Sequence, residues 1–190
     1  MTGTDNMMCS GSSTAKIKIL IIGPLGAGKS SLAYAINKKY GVPRLNLDEV
    51  HRVKNGGYRS VSEQFGILND FLKNNASWVM EGCQKMLYEK VKPDLVVDMR
   101  ISRLLAAWRF TVRFWKAKKL AGKEIAPDLP VQAYHYRKIT LSKILEWDST
   151  NKELNAEIGA FLKNVKVPIL TCKSFKDYQE VFSTIDKFNA

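Results

Sequence analysis

One stretch of eight residues, Gly23-Pro24-Leu25-Gly26-Ala27-Gly28-Lys29-Ser30, constrains this chain more than any other. It fits G-x-x-x-x-G-K-[ST], a pattern that cradles phosphates when a strand precedes it and a helix follows. Both flanks are present. Lys16-Ile17-Lys18-Ile19-Leu20-Ile21-Ile22 is a β-branched run that reads as a buried parallel strand. Leu32, Ile36 and Tyr40 recur every four residues and predict one helix face, with Gly41 as its stop. Glycines at 23, 26 and 28 let the backbone come close to a ligand. Successive N–H groups then form an anion nest, to which the helix adds its positive N-terminal end. Lys29 is placed to reach β- and γ-phosphates and the Ser30 hydroxyl to ligate Mg²⁺, with Ser31 completing the cradle. The plainer alternative is a glycine-rich turn opening an ordinary βα unit. Lys-Ser in register behind a hydrophobic strand argues against it. The expected ligand is a nucleoside triphosphate.

Length and charge narrow the setting. A chain of 190 residues is expected to form one domain with a proper core. Residues 1–15 are polar and Ser/Thr/Gly-rich, and are expected to be a disordered tail before a domain spanning 16–190. The formal net charge of +12 calls for an anionic partner: nucleic acid, an acidic membrane surface or a polyphosphate. Cys9, Cys83 and Cys172 are widely spaced and lack metal-ligand spacing, which points to reduced thiols in a cytoplasm. No run reaches the ~18 apolar residues of a membrane span. A soluble cytoplasmic protein is expected, with no membrane partner.

Along the chain, residues 42–48 predict a second strand ending in Asp48, with Glu49-Val50-His51 behind it. Residues 52–59 read as a polar loop. Ser60-Val61-Ser62-Glu63 is a capping-box sequence opening an amphipathic helix to about residue 75. Trp78-Val79-Met80 predicts a third strand closed by Glu81-Gly82, and 84–91 a short helix or turn. Residues 94–99 predict a fourth strand. From 101 to about 120 the pattern is helical, with eight Lys/Arg and no acid between Arg100 and Lys123. Residues 121–131, with two prolines, should be irregular. A helical stretch follows over 132–164, with a break expected near Asp148-Ser149-Thr150. The fifth strand is predicted over 167–172, and a last helix from about Phe175 with Tyr178, Val181, Phe182 and Ile185 on one face. Alternating strands and helices predict an α/β fold with helices on both faces of a parallel sheet.

Several classes of P-loop protein drop out. No Asn-Lys-x-Asp is present to read guanine, and no Asp-x-x-Gly follows the second strand, which excludes a regulatory GTPase pattern. What remains resembles the small nucleoside- and metabolite-kinase group, and most of all the adenylate-kinase-like proteins labelled DNA topology modulation proteins. The likeness is carried by Gly23 to Ser31, Leu47-Asp48-Glu49-Val50-His51, Trp78-Val79-Met80-Glu81-Gly82 and Ala107-Trp108-Arg109-Phe110-Thr111-Val112-Arg113, and spans residues 16 to about 185. It implies a P-loop NTPase three-layer sandwich with strand order 2-3-1-4-5 and a basic lid at about 109–137. It also implies Mg²⁺·ATP as donor, an acceptor-side acid at Asp48, acceptor contacts at His51 and Gly82, and lid arginines at Arg109, Arg113 and Arg137. Related kinases have Asp-Gly where this chain has Glu81-Gly82, and Glu81 can reach Mg²⁺ through water.

The plainer readings stand beside these. Asp48 can be a loop or helix-cap acid, His51 a solvated side chain, and Arg109 and Arg113 part of a solvated basic face. Their four-residue spacing puts the two arginines on one helix face, where planar forks can grip a phosphoryl group. Asp98 reads as an acid supporting the fold or the site. Trp108, Trp115, Tyr134, Tyr136 and Trp147 flank the basic segment and either stack an adenine, an acceptor base or single-stranded nucleic acid or, the default reading, form core between lid and long helix. The expectation is a phosphotransferase acting on a nucleotide or other small acceptor. The alternatives are a nucleic-acid-associated P-loop ATPase or regulator, and a protein that binds nucleotide only as a structural ligand.

Overall fold

The five-residue strand β1 (Lys18–Ile22) shows why its sequence carries no polar face. Successive side chains of a strand point to opposite sides, so a strand covered on both faces must be apolar at every position. Ile19 and Ile21 enter one core with Val79, Val97 and the helix residues Leu32, Ile36, Val181 and Ile185. Leu20 and Ile22 enter a second core with Met80, Val96, Leu68, Tyr88 and Ile158. All four of those β1 residues are buried.

The computed structural model describes residues 16–53, 57–102, 104–105, 108–109, 111–112, 115 and 147–188. Around β1 lie β2 (Arg44–Asn46), β3 (Trp78–Glu81), β4 (Leu95–Met99) and β5 (Ile169–Cys172). The sheet is parallel, as the alternation of strands and helices predicts, and its order β2-β3-β1-β4-β5 is the one the resemblance implies. Helix α1 (Lys29–Tyr40) and the last helix, α6 (Tyr178–Phe188), pack on the first face. The second face takes α2 (Leu47–His51), α3 (Val61–Asn74), α4 (Lys85–Tyr88) and α5 (Trp147–Asn164). This is a three-layer sandwich, with helices on both faces of a parallel sheet.

Local chemistry fixes the ends. Gly41 closes α1 in the left-handed region, at φ 67°, and donates its N–H to the Asn37 carbonyl at 2.9 Å. Ser60 caps α3: its hydroxyl accepts from the Glu63 N–H, and the Glu63 carboxylate accepts from the Ser60 N–H at 2.8 Å. A single 3₁₀ turn at Phe175–Asp177 leads into α6.

The end of the second strand differs from expectation. The second strand stops at Asn46, two residues short of Asp48, because the Asn46 side chain accepts from the N–H groups of Asp48 and Glu49 and starts α2 there. Asp148, Ser149 and Thr150 lie near the start of α5 as described, and the stretch before it, on which the expected break also depends, lies outside the described residues. The stretch 121–131, residues 132–146 and the tail at 1–15 lie outside the described residues. Among the described residues, no helix is long and apolar enough to cross a membrane.

Candidate functional site

Parallel pairing brings the candidate residues to one edge. Glu81 is level with Ile21, Asp98 with Ile22, and Asn46 with Glu81, so the strands end together where the loop from Gly23 begins. Ligands of open α/β sheets bind at this carboxyl edge.

Gly23 has φ 148°, and a Cβ there would lie 2.5 Å from the Met99 carbonyl oxygen. Only glycine lets β1 turn so close to the end of β4. Leu25 and Gly26 form the turn, closed by the Ala27 N–H donating to the Pro24 carbonyl at 3.2 Å. Gly28 stands at the N-cap of α1 with no side chain over the helix end, so the N–H groups of Lys29 and Ser30 open the helix towards an anion, while that of Ser31 donates to the Gly28 carbonyl at 3.0 Å.

Lys29 is buried, and its Nζ donates to the Gly23 and Pro24 carbonyls at 3.0 and 3.1 Å. Burial opposes its charge, yet Cys83, Asp48 and Glu81 beside it outweigh that cost and hold its pKa above the ordinary lysine value. Glu81 is 1% exposed. Burial pushes its carboxyl up, Asp48 adds to that, and Lys29, a hydrogen bond with the Ser30 side chain and Arg44 pull the other way. Its Oε1 is buried with no hydrogen-bond partner among the described residues.

The other acceptor-edge candidates surround this pair. Asp48 lies in the first turn of α2, and its Oδ1 accepts from the Cys83 N–H at 3.3 Å. Gly82 has φ 149°, and a Cβ there would lie 2.9 Å from that of Leu47 and 3.3 Å from the Asp48 nitrogen. Its bareness therefore serves the packing of α2 against the end of β3. His51 ends α2, its ring stacked on Tyr58 at 4.7 Å and its Nδ1 buried without a partner among the described residues. Asp98 accepts from Arg100 Nε at 2.7 Å and so has a structural partner at the edge.

On the donor side, Arg109 extends its Nη1 to the Ala27 and Gly26 carbonyls at 3.3 and 3.4 Å. Arg113, Arg137 and the lysines at 116, 118 and 119 lie outside the described residues. Trp108 and Trp115 differ from expectation: they are 66% and 58% exposed rather than core. Residues 108 and 109 sit about 100° apart on a helix, so with Arg109 at the P-loop its neighbour is turned away.

Three contributors were not singled out by the sequence. Tyr178, expected only as core, donates its hydroxyl to the Gly28 carbonyl at 3.4 Å. Phe175, exposed, packs on the Tyr178 ring at 4.6 Å. Cys83 directs its Sγ at the Gly23 carbonyl at 3.3 Å, and burial pushes its thiol up to about 11. Its place immediately after Glu81-Gly82 was the available signal.

A divalent cation fits the oxygens present. The Ser30 hydroxyl meets the Glu81 carboxylate, one oxygen of which is buried and without a partner among the described residues, the hard-ligand chemistry that Mg²⁺ takes. Among the described residues no group of three or more His, Cys, Asp or Glu is set to hold a metal by itself. That suits an ion carried largely by phosphates and water.

No family model matches the chain, and no curated protein matches it. Among solved structures, an uncharacterized protein from Eubacterium ventriosum is similar with a TM-score of 0.50 at 10% identity, over 90% of this chain and 99% of that one. That likeness is one of fold. A deoxyadenosine kinase from M. mycoides, bound to dCMP and dCDP, gives a TM-score of 0.47 at 16% identity, over 90% of this chain and 100% of that one.

Proposed function

We propose that this protein is a Mg²⁺·ATP-dependent phosphotransferase that moves the γ-phosphoryl group to a nucleotide or other small acceptor. One observation carries the reading: Lys29 is buried with its Nζ on the Gly23 and Pro24 carbonyls, and Cys83, which bonds both Gly23 and Asp48, joins that loop to the edge where Glu81 ends β3. A phosphate cradle and an acidic acceptor edge thus meet. A nucleotide bound only as a structural ligand gives no reason for acids to be gathered there.

In this reading the nest of residues 23–28 and the N-terminus of α1, with Lys29, Ser30 and Ser31, hold the phosphates. Arg109 reaches the same loop, and with Arg113 and Arg137 would neutralise charge on the transferring group. Phe175 and Tyr178 offer aromatic faces beside Gly28 for the donor base. Asp48 accepts the proton of an attacking hydroxyl or binds the acceptor, with His51 and Gly82 beside it. Ser30, and Glu81 through water, would hold Mg²⁺, which supplies charge neutralisation across the phosphates.

The test is ADP production from Mg·ATP over a panel of nucleoside monophosphates, nucleosides, hydroxy acids and DNA. A phosphorylated small molecule is expected, and Lys29→Ala should cut its formation by about 10²-fold or more. A second reading, a nucleic-acid-associated ATPase, is favoured by the exposed Trp108 and Trp115 within the basic stretch. DNA-stimulated hydrolysis with no phosphorylated product would establish that reading and sink the kinase.

A further inference from the structure

We propose that Arg59 is a positioning residue of the acceptor edge: it ties the C-terminal end of α2, and through it Asp48, to the start of α3. The inference rests on the phosphotransferase reading. A single nitrogen, Nη1, reaches the carbonyls of Glu49 at 2.6 Å, Val50 at 2.9 Å and Arg52 at 2.6 Å. These are carbonyls that a helix end leaves unpaired and where a cation is favoured.

The need is physical. Helix α2 has five residues, far fewer than the ~12–15 at which a helix begins to hold itself in water. Its N-terminus has the Asn46 cap and the 3.3 Å bond between Asp48 and the Cys83 N–H. Its C-terminal end is gathered by residue 59. The Arg59 N–H donates to the His51 carbonyl at 3.0 Å, the guanidinium takes the three carbonyls above, and an Arg52–Tyr58 bridge closes the loop between. Residue 59 is itself anchored. Gln64, buried in α3, donates to the Arg59 carbonyl at 2.8 Å, and Ser60 caps that helix next door. Arg59 has no place in the phosphate cradle. Its effect on chemistry therefore runs through where Asp48 and His51 stand.

The experiment compares Arg59→Ala and Arg59→Lys with the unaltered protein on three readouts: iodoacetamide labelling of Cys83 followed by peptide mass, ATP affinity, and KM for the acceptor found in the panel. Cys83 reports the arm because its N–H is the group Asp48 holds. Arg59→Ala should label Cys83 several-fold faster and raise acceptor KM by about tenfold, with ATP affinity within about twofold of the unaltered protein. Arg59→Lys should recover most of both effects, since an ammonium also presents its donors from one nitrogen. Unchanged labelling, or faster labelling with unchanged acceptor KM, would overturn the proposal. A general loss of fold would appear as lost ATP affinity, and Arg59→Lys then decides by whether it restores labelling and KM together. If the unaltered protein phosphorylates nothing in the panel, the kinase reading falls by itself, and the Cys83 labelling rate decides whether Arg59 holds the arm.

Discussion

At the scale of single residues, charge placement sets function against stability. Glu81 is almost wholly buried, and burial raises its pKa despite Lys29 and Ser30 beside it. The raised value means that its contribution to stability is greatest below the ordinary glutamate pKa and is lost as pH rises through the folded one. At neutral pH, above the ordinary glutamate pKa, burying this carboxyl therefore costs the fold something. Glu81→Gln keeps the shape and removes that cost, so it should raise the melting temperature at pH 7 while lowering phosphoryl transfer. Thermal melts at pH 5 and 7 check the first half, because the gain should shrink at the lower pH. Cys83 carries a second test: with its thiol pushed up to about 11, it stays protonated at neutral pH beside Lys29. Its alkylation should be slow at pH 7.5 and climb about tenfold per pH unit up to pH 10, following thiolate fraction. By linkage, its contribution to stability is full below an ordinary thiol pKa and falls as pH rises towards 11. A plateau in its labelling near pH 8 or 9 would show an unburied thiol.

At the scale of elements, legibility followed the distance over which each signal acts. The loop from Gly23 to Ser30 and the capping box at Ser60 are local patterns, and the elements they open were readable from the sequence. The apolar run of β1 was readable as well, because burial on both faces leaves a mark at every position. Asp48 was misplaced by two residues, since a side-chain cap at Asn46 ended the strand before its apolar pattern did. Tyr178 was readable only as core: whether a buried phenol finds a P-loop carbonyl depends on packing between residues 150 positions apart. Cys83 meets Asp48 and Gly23 across 35 and 60 positions, so only its place after Glu81-Gly82 pointed to it, and Arg59 turns back on carbonyls 7 to 10 positions before it across a loop whose sequence has no periodicity. The capping box offers a clean measurement of the local kind. Ser60→Ala removes the acceptor for the Glu63 N–H and should lower the melting temperature by about 2–4 °C. The Glu63 carboxyl is held below its usual range first by the Ser60 hydroxyl and then by the Ser60 N–H. Its share of the cap is present above the ordinary glutamate pKa and lost as pH falls through the depressed one. The difference between the unaltered protein and Ser60→Ala should therefore narrow in acid.

At the scale of the whole molecule, the question is what a net charge of +12 is for. If the positive surface exists to meet nucleic acid, affinity should follow counterion release and fall steeply on a logarithmic scale of salt. If the decisive anion is a triphosphate seated in a backbone nest with Lys29 buried behind it, much of the interaction is local and screened less. Ligand-linked stabilisation separates the two. Mg·ATP at about 100 times its dissociation constant should add about 2.7 kcal/mol to the stability of the folded state, a rise of several degrees for a chain of this size. That rise should largely persist at 0.3 M salt with the ATP concentration held fixed, and should vanish in Lys29→Ala. Any rise caused by a DNA duplex should collapse over the same range of salt and be indifferent to Lys29. A DNA effect that survives salt and depends on Lys29 would tie nucleic acid to the P-loop itself and reverse the order of the two readings.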